Sequence, residues 1–415
     1  MKIFGLLLTF LLLMSCSSTK TDQTEEVFRF SQNQFLHAFA EIDSAIANES
    51  QASIDLRALR NQGPLVSPRS INEDGSLHMV ASSDWTSGFF PGNLWYIYEF
   101  TNDAFWKEKA EAFTVQIERE QWNGRTHDMG FKMYCSYGNG FRLTGNEAYK
   151  EVLIQSANTL ITRFNPVVGA LRSWDHNRDK WAFPVIIDNM MNLELLFWAT
   201  EVTGDSVYYN IAEAHAITTL KNHFREDYSS WHVIDYDPIS GEVVNRHTHQ
   251  GYAHESAWSR GQAWGLYGYT MTFRETGNTE FLKLAENIAD FIFSHPHLPA
   301  DLIPYWDFDA PEIPDAPRDA SAAAITASAL YELGLFLPEK AEIYTGLADE
   351  IMNNLIEGYL SEPSQNKGFL LDHSTGHLPH NHEIDVSIVY ADYYFLEALL
   401  RKKNLENASC CSTKK

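Results

Sequence analysis

A short phrase recurs along the chain, and it constrains the possible folds more than any other feature. The phrase is Thr-Gly-Asn or Thr-Gly-Asp, with an aromatic residue three positions further on. Glycine readily supplies the left-handed residue that ends a helix, and the Asn or Asp after it caps the next helix. The phrase therefore predicts the tight turn of a helical hairpin. Its copies are Thr144-Gly145-Asn146 with Tyr149, Thr203-Gly204-Asp205 with Tyr208, Thr276-Gly277-Asn278 with Phe281, and a degenerate Thr101-Asn102-Asp103 with Phe105.

Helical apolar periodicity surrounds these turns and predicts roughly twelve helices. Twelve helices make six hairpins, which can close on themselves with an apolar inner ring and an amphipathic outer ring. Small and aromatic residues on nearly every face mark 261–268 and 320–325 as parts of inner helices. The sequence thus predicts an all-α fold. The predicted helices are 28–47, 86–101, 104–119, 128–143, 147–164, 188–202, 206–224, 258–275, 279–294, 319–336, 339–360 and 385–401.

The loops that precede the inner helices are long, polar and aromatic, whereas the other connections are mostly the short turns. All long loops should therefore lie at one end of the array, where we expect a cleft, because loops on a rigid scaffold carry function. These loops are 61–85, 120–127, 165–187, 225–257, 295–318 and 361–384.

The chain has 415 residues and a formal net charge of −24. One barrel of helices can reach this length, so we expect a single domain over 26–402 and a polar tail over 403–415. The negative charge repels phosphate backbones and argues against nucleic acid as a partner. If the substrate is also anionic, local cations must overcome this charge.

The chain starts with an apolar run, from Ile3 to Met14, that follows a basic residue and ends just before Cys16. The run is too short for a retained membrane-spanning helix. It resembles a bacterial lipoprotein signal, which implies a signal peptide over 1–16, a lipid on Cys16 and a flexible tether over 17–25. The expected location is the periplasm or the cell surface, with membrane contact only through the lipid anchor. An ordinary signal peptide with an unrelated Cys is the alternative.

Two aspartates, Asp128 and Asp188, stand where long loops meet predicted inner helices. Each is open to a simple explanation as a helix cap. Asp188, however, is flanked by Ile187 and followed by Met190, and desolvation in such surroundings raises a carboxyl pKa and favours a proton donor near neutral pH. Two aspartates at equivalent positions of the array fit paired-carboxylate chemistry.

A dense polar and aromatic segment runs from His247 to Trp264. Arg260 and Trp264 are four residues apart and share one helical face. A guanidinium that can grip a carboxylate beside an indole suits an acidic sugar. The histidines show no strict metal-ligand spacing, nor do the cysteines, so we expect no metal. Trp85, at another loop junction, either stacks on a sugar ring or packs in the core.

Six long motifs, in order, resemble the unsaturated glucuronyl hydrolases of glycoside hydrolase family 88. The resemblance runs from about residue 30 to residue 401. It implies an (α/α)6 barrel, in agreement with the six predicted hairpins. The motifs are Trp85-Thr86-Ser87-Gly88-Phe89, His127-Asp128-Met129-Gly130-Phe131, Ile187-Asp188-Asn189-Met190-Met191-Asn192-Leu193, Trp258-Ser259-Arg260-Gly261-Gln262-Ala263-Trp264-Gly265, Arg318-Asp319-Ala320-Ser321-Ala322-Ala323 and Asp385-Val386-Ser387-Ile388-Val389-Tyr390-Ala391-Asp392-Tyr393-Tyr394.

The resemblance also implies roles for individual residues. Asp188 corresponds to the general acid/base, and Asp128 to a second essential carboxylate that stabilises an oxocarbenium-like transition state. The implied substrate is a lyase-generated glycosaminoglycan oligosaccharide with a 4,5-unsaturated uronic acid at its non-reducing end, cleaved by hydration of the C4=C5 vinyl ether. No cofactor or metal is implied. The residues similar to substrate-binding positions are Trp85, His127, His232, Gln250, Arg260 and Trp264.

Other functions remain open on the sequence alone. They are an inverting glycosidase on the same barrel, an unsaturated rhamnogalacturonyl hydrolase acting on pectin fragments, and a lipid-anchored glycan-binding protein without catalysis. Some family members carry a Ser-x-x-Ser-x-Lys sulfate-binding pattern ahead of the last helix. Here His377, His380 and His382 stand at those places, so sulfate binding by them would depend on their protonation.

Overall fold

The computed structural model describes residues 23–412. The predicted signal peptide and its lipidation site Cys16 lie outside these residues. The first helix begins at Gln23, inside the predicted tether 17–25, and the last helix continues through most of the predicted polar tail 403–415. The thirteen α-helices in the described part are α1 (Gln23–Ala47), α2 (Gln51–Leu59), α3 (Phe89–Thr101), α4 (Ala104–Thr114), α5 (Asn139–Thr144), α6 (Glu147–Ile161), α7 (Glu194–Thr203), α8 (Ser206–Asn222), α9 (Ser259–Thr276), α10 (Thr279–Ser294), α11 (Ala320–Phe336), α12 (Ala341–Gly358) and α13 (Val389–Ser412).

Two concentric rings of helices build an (α/α)6 barrel, which confirms the predicted fold class. The inner ring consists of α3, α5, α7, α9, α11 and α13, and it closes where α13 contacts α3. The outer ring consists of α4, α6, α8, α10 and α12, each packed on its hairpin partner, with α1 against α3 and α13. Every residue of α11 from Ala320 to Gly334 is buried, whereas α10 buries only one face. This is the expected difference between the rings.

The recurring phrase forms the predicted turns at the end of the barrel away from the long loops. Gly145, Gly204 and Gly277 adopt positive φ angles of 66°, 74° and 67°. No Cβ atom has to be accommodated in this left-handed conformation, which is why glycine is favoured there. The side chain of Asn146 then accepts a hydrogen bond from the N–H of Ala148 at 3.0 Å and caps the next helix.

Short strands lie within three of the long loops, where the periodicity predicts none. Two hairpins and one three-stranded antiparallel sheet result, and the sheet orders its strands β5-β6-β7. It joins the loop before Asp188 to the loop that holds His232 and His247. The strands are β1 (Leu65–Ile71), β2 (Leu77–Ala81), β3 (Phe164–Asn165), β4 (Ala170–Leu171), β5 (Pro184–Ile186), β6 (Val233–Tyr236) and β7 (Val243–His247).

Two inner helices begin irregularly and come very close to each other. A π-helical turn, Gly130–Gly138, precedes α5, and a 3₁₀-helical turn, Ile187–Asn192, precedes α7. A Cβ atom on Gly130 would lie 2.6 Å from the Cα of Asn192, so glycine is required at this crossing. The N–H of Phe131 donates to Oδ1 of Asn192 at 3.1 Å and fixes the register. The crossing brings the segments that carry the two candidate aspartates together.

Aromatic contacts join the rings elsewhere in the core. Phe28 of α1 stacks on Phe100 of α3 with ring centroids 3.8 Å apart, and the indole N–H of Trp95 donates to Oγ1 of Thr114 at 2.9 Å. Such contacts tie outer helices to inner ones. Within residues 23–412, no helix combines the length and the apolarity needed to cross a bilayer.

Candidate active site

A cleft of about 300 Å³ opens where the long loops meet the starts of the inner helices. Both predicted catalytic aspartates and three of the six predicted substrate-binding residues line it: Asp128, Asp188, Trp85, His127 and Gln250. The other three are at most 3% exposed and lie behind the wall of the cleft: His232, Arg260 and Trp264. The structure thus brings all eight predicted residues together, but in two layers.

Asp188 is a buried carboxyl whose surroundings raise its pKa. It lies in the 3₁₀-helical turn before α7 and is 7% exposed. Burial raises the pKa of Asp188 to about 7, Arg260 opposes this rise, and the negative charge of Asp128 adds to it. Its Oδ2 atom has no hydrogen-bond partner in the described part of the chain. Asp188 lines the cleft, where a carboxyl can act as a proton donor.

His232 orients a neutral ring toward Asp188. Its Nδ1 atom accepts hydrogen bonds from the backbone N–H groups of His249 at 3.2 Å and Gln250 at 3.1 Å. The proton of the neutral ring is therefore on Nε2, which lies 3.7 Å from Oδ2 of Asp188. Burial lowers the pKa of His232 and keeps the ring uncharged. His232 thus presents an N–H dipole to the carboxyl and not a full positive charge.

Asp128 has a different environment, because both of its oxygens have partners. Oδ2 accepts a hydrogen bond from Oγ1 of Thr126 at 2.5 Å, and Oδ1 lies 3.1 Å from Nε2 of His127. The side chain is 17% exposed at the cleft. One carboxylate is thus firmly oriented while the other has a free oxygen, an asymmetry that suits a charge stabiliser beside a proton donor.

Arg260 differs from the expectation that its guanidinium fork grips a substrate carboxylate. Its Nη1 donates to Oδ2 of Asp319 at 2.5 Å and to the carbonyl of Thr375 at 2.7 Å, and its Nη2 donates to the carbonyl of Gly376 at 2.6 Å. Trp258 covers the guanidinium at 4.6 Å. In this structure the fork therefore holds the 375–376 backbone against the start of α11, and Gly376 lines the cleft.

Aromatic rings support the cleft. Trp85 lines it and packs against Tyr390 at 5.0 Å and Phe131 at 5.4 Å between ring centroids. Trp264 lies behind Phe131, with their centroids 5.1 Å apart. Trp85 therefore packs on the core, as one of the two interpretations expected, and it also lines the cleft; stacking on a sugar ring stays a prediction.

A charge cluster that sequence reasoning missed lies at the rim. Arg69 donates to both carboxylate oxygens of Glu383, at 2.7 and 2.8 Å, and to Oδ2 of Asp84 at 2.9 Å. Arg69 and Glu383 line the cleft but are 314 positions apart. Neither belongs to a local pattern, so only the closure of the barrel reveals their pairing.

Three histidine rings lie close together on the wall formed by the 375–382 loop. The rings of His249 and His377 are 4.7 Å apart, and His380 lies 4.0 Å from His377. Burial lowers the pKa of His249 to about 3 and that of His377 to about 4. These two rings are neutral near pH 7, so they do not supply the positive charge that sulfate binding would need there.

Comparison with known proteins shows which family this chain belongs to. The model of Glycosyl Hydrolase Family 88 matches residues 66–297. An unsaturated glucuronyl hydrolase of Formosa agariphila is 57% identical over 331 residues, 79% of this chain and 82% of the relative. The chain belongs to glycoside hydrolase family 88. The predicted family and the predicted enzyme class, a glycoside hydrolase, are thereby confirmed.

More distant family 88 members agree. An unsaturated chondroitin disaccharide hydrolase of Streptococcus pneumoniae is 31% identical, with 79% of this chain and 84% of the relative covered. A crystal structure of an unsaturated glucuronyl hydrolase specific for heparin is 45% identical, with a TM-score of 0.83 and coverage of 92% of this chain and 98% of that one. The shared barrel therefore extends over nearly all of this family 88 hydrolase.

Proposed function

We propose that this family 88 hydrolase removes 4,5-unsaturated uronic acid from the non-reducing end of lyase-generated glycosaminoglycan oligosaccharides. Such a ring contains a vinyl ether, C4=C5–O5, so cleavage can begin with hydration and needs no displacement at C1. The relatives named above support the substrate class, since one is called a chondroitin disaccharide hydrolase and another is described as specific for heparin.

The protonation state of Asp188 carries the proposal. Hydration of a vinyl ether starts with a proton on the carbon that is not bonded to oxygen, which is C4. The donor must therefore hold a proton near neutral pH, and burial, which raises the pKa of Asp188 to about 7, supports Asp188 in this role. Asp188 lines the same cleft as Asp128, and its buried Oδ2 has no hydrogen-bond partner among the described residues.

The remaining steps balance without a cofactor. Protonation of C4 places positive charge on C5 and O5, and the carboxylate of Asp128 stabilises that charge. Water adds to C5 and loses a proton, which leaves a hemiketal. The hemiketal opens by breaking the C5–O5 bond, and the C1 hemiacetal formed in this way expels the remaining sugar as an alcohol.

The test combines a substrate panel with isotope labelling. Unsaturated disaccharides from chondroitin, hyaluronan, heparin and pectin are compared by loss of the ultraviolet absorbance of the conjugated double bond. In D2O, hydration by Asp188 places deuterium at C4 in a single configuration, as NMR of the first product would show. Displacement at C1 would give no stereospecific label and would contradict the proposed reaction.

The same panel separates the alternatives. A preference for the pectin disaccharide would indicate a rhamnogalacturonyl hydrolase. Binding without turnover of any member would indicate a glycan-binding protein. The Asp188→Asn variant is the control for both the pectin preference and binding without turnover. It should bind the preferred disaccharide and leave the absorbance of that disaccharide unchanged.

We also propose that Cys16 carries a lipid anchor that places the enzyme in the periplasm or at the cell surface. The apolar run ending before Cys16 and the polar residues after it support this proposal.

A further inference from the structure

Two histidines of the 375–382 loop lie side by side. His377 precedes a single 3₁₀-helical turn, Leu378–His380, and His380 is the last residue of that turn. The tight turn brings their ring centroids to 4.0 Å from each other.

A third histidine faces this pair from a different part of the chain. The ring of His249 lies 4.7 Å from that of His377 and 5.0 Å from that of His380. One ring nitrogen from each of the three lies within 4.8 Å of the others. The sequence argued against a metal because His247 and His249 lack ligand spacing, and it could not show that a loop 128 positions away supplies the missing rings.

A hydrogen bond fixes the tautomer of the central ring. Nε2 of His377 lies 2.9 Å from the carbonyl oxygen of His249, so it carries a proton and donates it. The lone pair is therefore on Nδ1. Histidines that bind metals ordinarily donate their other N–H to a carbonyl or carboxylate in this way, which orients the ring and increases its basicity.

We propose that His249, His377 and His380 bind a divalent transition metal ion, of the zinc class, on the wall of the substrate cleft. Three imidazoles suit zinc, nickel or copper and not magnesium or calcium. Zinc–nitrogen bonds of about 2.0–2.1 Å require ligand nitrogens roughly 3.4 Å apart, so the nitrogens, now within 4.8 Å of one another, close in by up to about 1.4 Å. Water occupies the fourth position.

The position of the ion predicts that it inhibits hydrolysis of the substrate. His249 and His377 line the same cleft as Asp128 and Asp188, so a hydrated ion held between them narrows the space for a sugar. We expect zinc to inhibit hydrolysis competitively with the disaccharide. This consequence rests on the proposed function, whereas binding of the ion does not.

Zinc titration of the folded protein by calorimetry tests the binding without any substrate. His380 is exposed and does not line the cleft, so His380→Ala should keep the fold, which is all that this substrate-free titration requires. This variant should weaken zinc binding by at least about tenfold, a loss typical even for residues one shell away from a metal. Cobalt in place of zinc should give the visible absorption of a tetrahedral site, and His380→Ala should remove it.

The control is His382→Ala, on the same loop. His382 belongs to a separate group with His78 and Glu383 in which ligand atoms also converge. Its replacement should leave zinc affinity unchanged. Equal affinity of wild type and His380→Ala, or a loss confined to His382→Ala, would overturn the proposed site. Tight binding without inhibition would remove only the inhibitory consequence, and an absence of turnover would count against the proposed function and not against the metal site.

Discussion

The buried carboxyl of Asp188 should make the fold less stable as pH rises, and Asp188→Asn should remove this penalty. Burial raises the pKa of Asp188 from 3.8 to about 7. A carboxyl whose folded pKa is raised contributes stability that is fully present below its unfolded pKa and is lost as pH rises through its folded pKa. The asparagine side chain carries no such titration. The variant should therefore be inactive and, at alkaline pH, more stable than the wild type.

The size of the effect follows from the two pKa values. Proton linkage with these values makes the penalty roughly 2 kcal/mol larger at about pH 8.5 than at about pH 5.5. Comparing the two pH values cancels the contribution of the amide itself, which does not titrate.

Urea unfolding of wild type and Asp188→Asn at both pH values measures this difference. Asp237→Asn is the control, because the N–H groups of Ile239 and Ser240 lower the pKa of the exposed Asp237 and move its titration below this pH range. Its effect should be the same at both pH values. If Asp188→Asn changes stability equally at both, Asp188 is ionised throughout, and its assignment as the proton donor is wrong.

Three further outcomes are expected. In the wild type, kcat should fall as pH rises through about 7. Asp128→Asn should be strongly impaired and should move this fall to lower pH, because the charge of Asp128 raises the pKa of Asp188. An unchanged pH profile of kcat would show that the two carboxyls do not interact. Arg260→Lys should reduce kcat/KM about tenfold for the unsaturated disaccharide and equally for its methyl ester, because the lost hydrogen bonds go to Asp319 and the loop backbone. If kcat/KM falls for the free uronic acid and not for its methyl ester, Arg260 binds the substrate carboxylate after all. Cys16→Ser should release the protein from the membrane fraction, and unchanged sedimentation with membranes would argue for another attachment.

The sequence predicted the barrel well because its signals are local. Helical periodicity and the left-handed glycine at positions such as 145, 204 and 277 act within a few residues, so they can be recognised without tertiary contacts. The two aspartates were found for a similar reason, since each stands at a junction between a loop and an inner helix. Their unlike environments depend on neighbours such as His232, which only the folded chain supplies.

Contacts between distant segments account for what the sequence did not predict. Arg260 was expected to face a substrate because it shares a helical face with Trp264. The sequence could not show its actual acceptors, because the carbonyls of Thr375 and Gly376 are 115 and 116 positions away. The last helix was predicted to end at 401 and a polar tail to begin at 403, yet the helix continues and Lys403 lies over the ring of Phe100 at 4.1 Å. The strands of the cleft were missed because short, irregular pairing leaves little periodicity to detect.

Because the inner ring closes between α3 and α13, folding of this enzyme can be completed only at the end of its synthesis. The ribosome releases the chain from its N-terminus, so five inner helices with apolar faces emerge before the sixth can cover them. The 375–382 loop and Tyr390, which complete the cleft, emerge at the same late stage. A nascent chain halted before α13 would therefore have neither a finished core nor a catalytic cleft, and its exposed apolar surface would make it a substrate for chaperones and proteases.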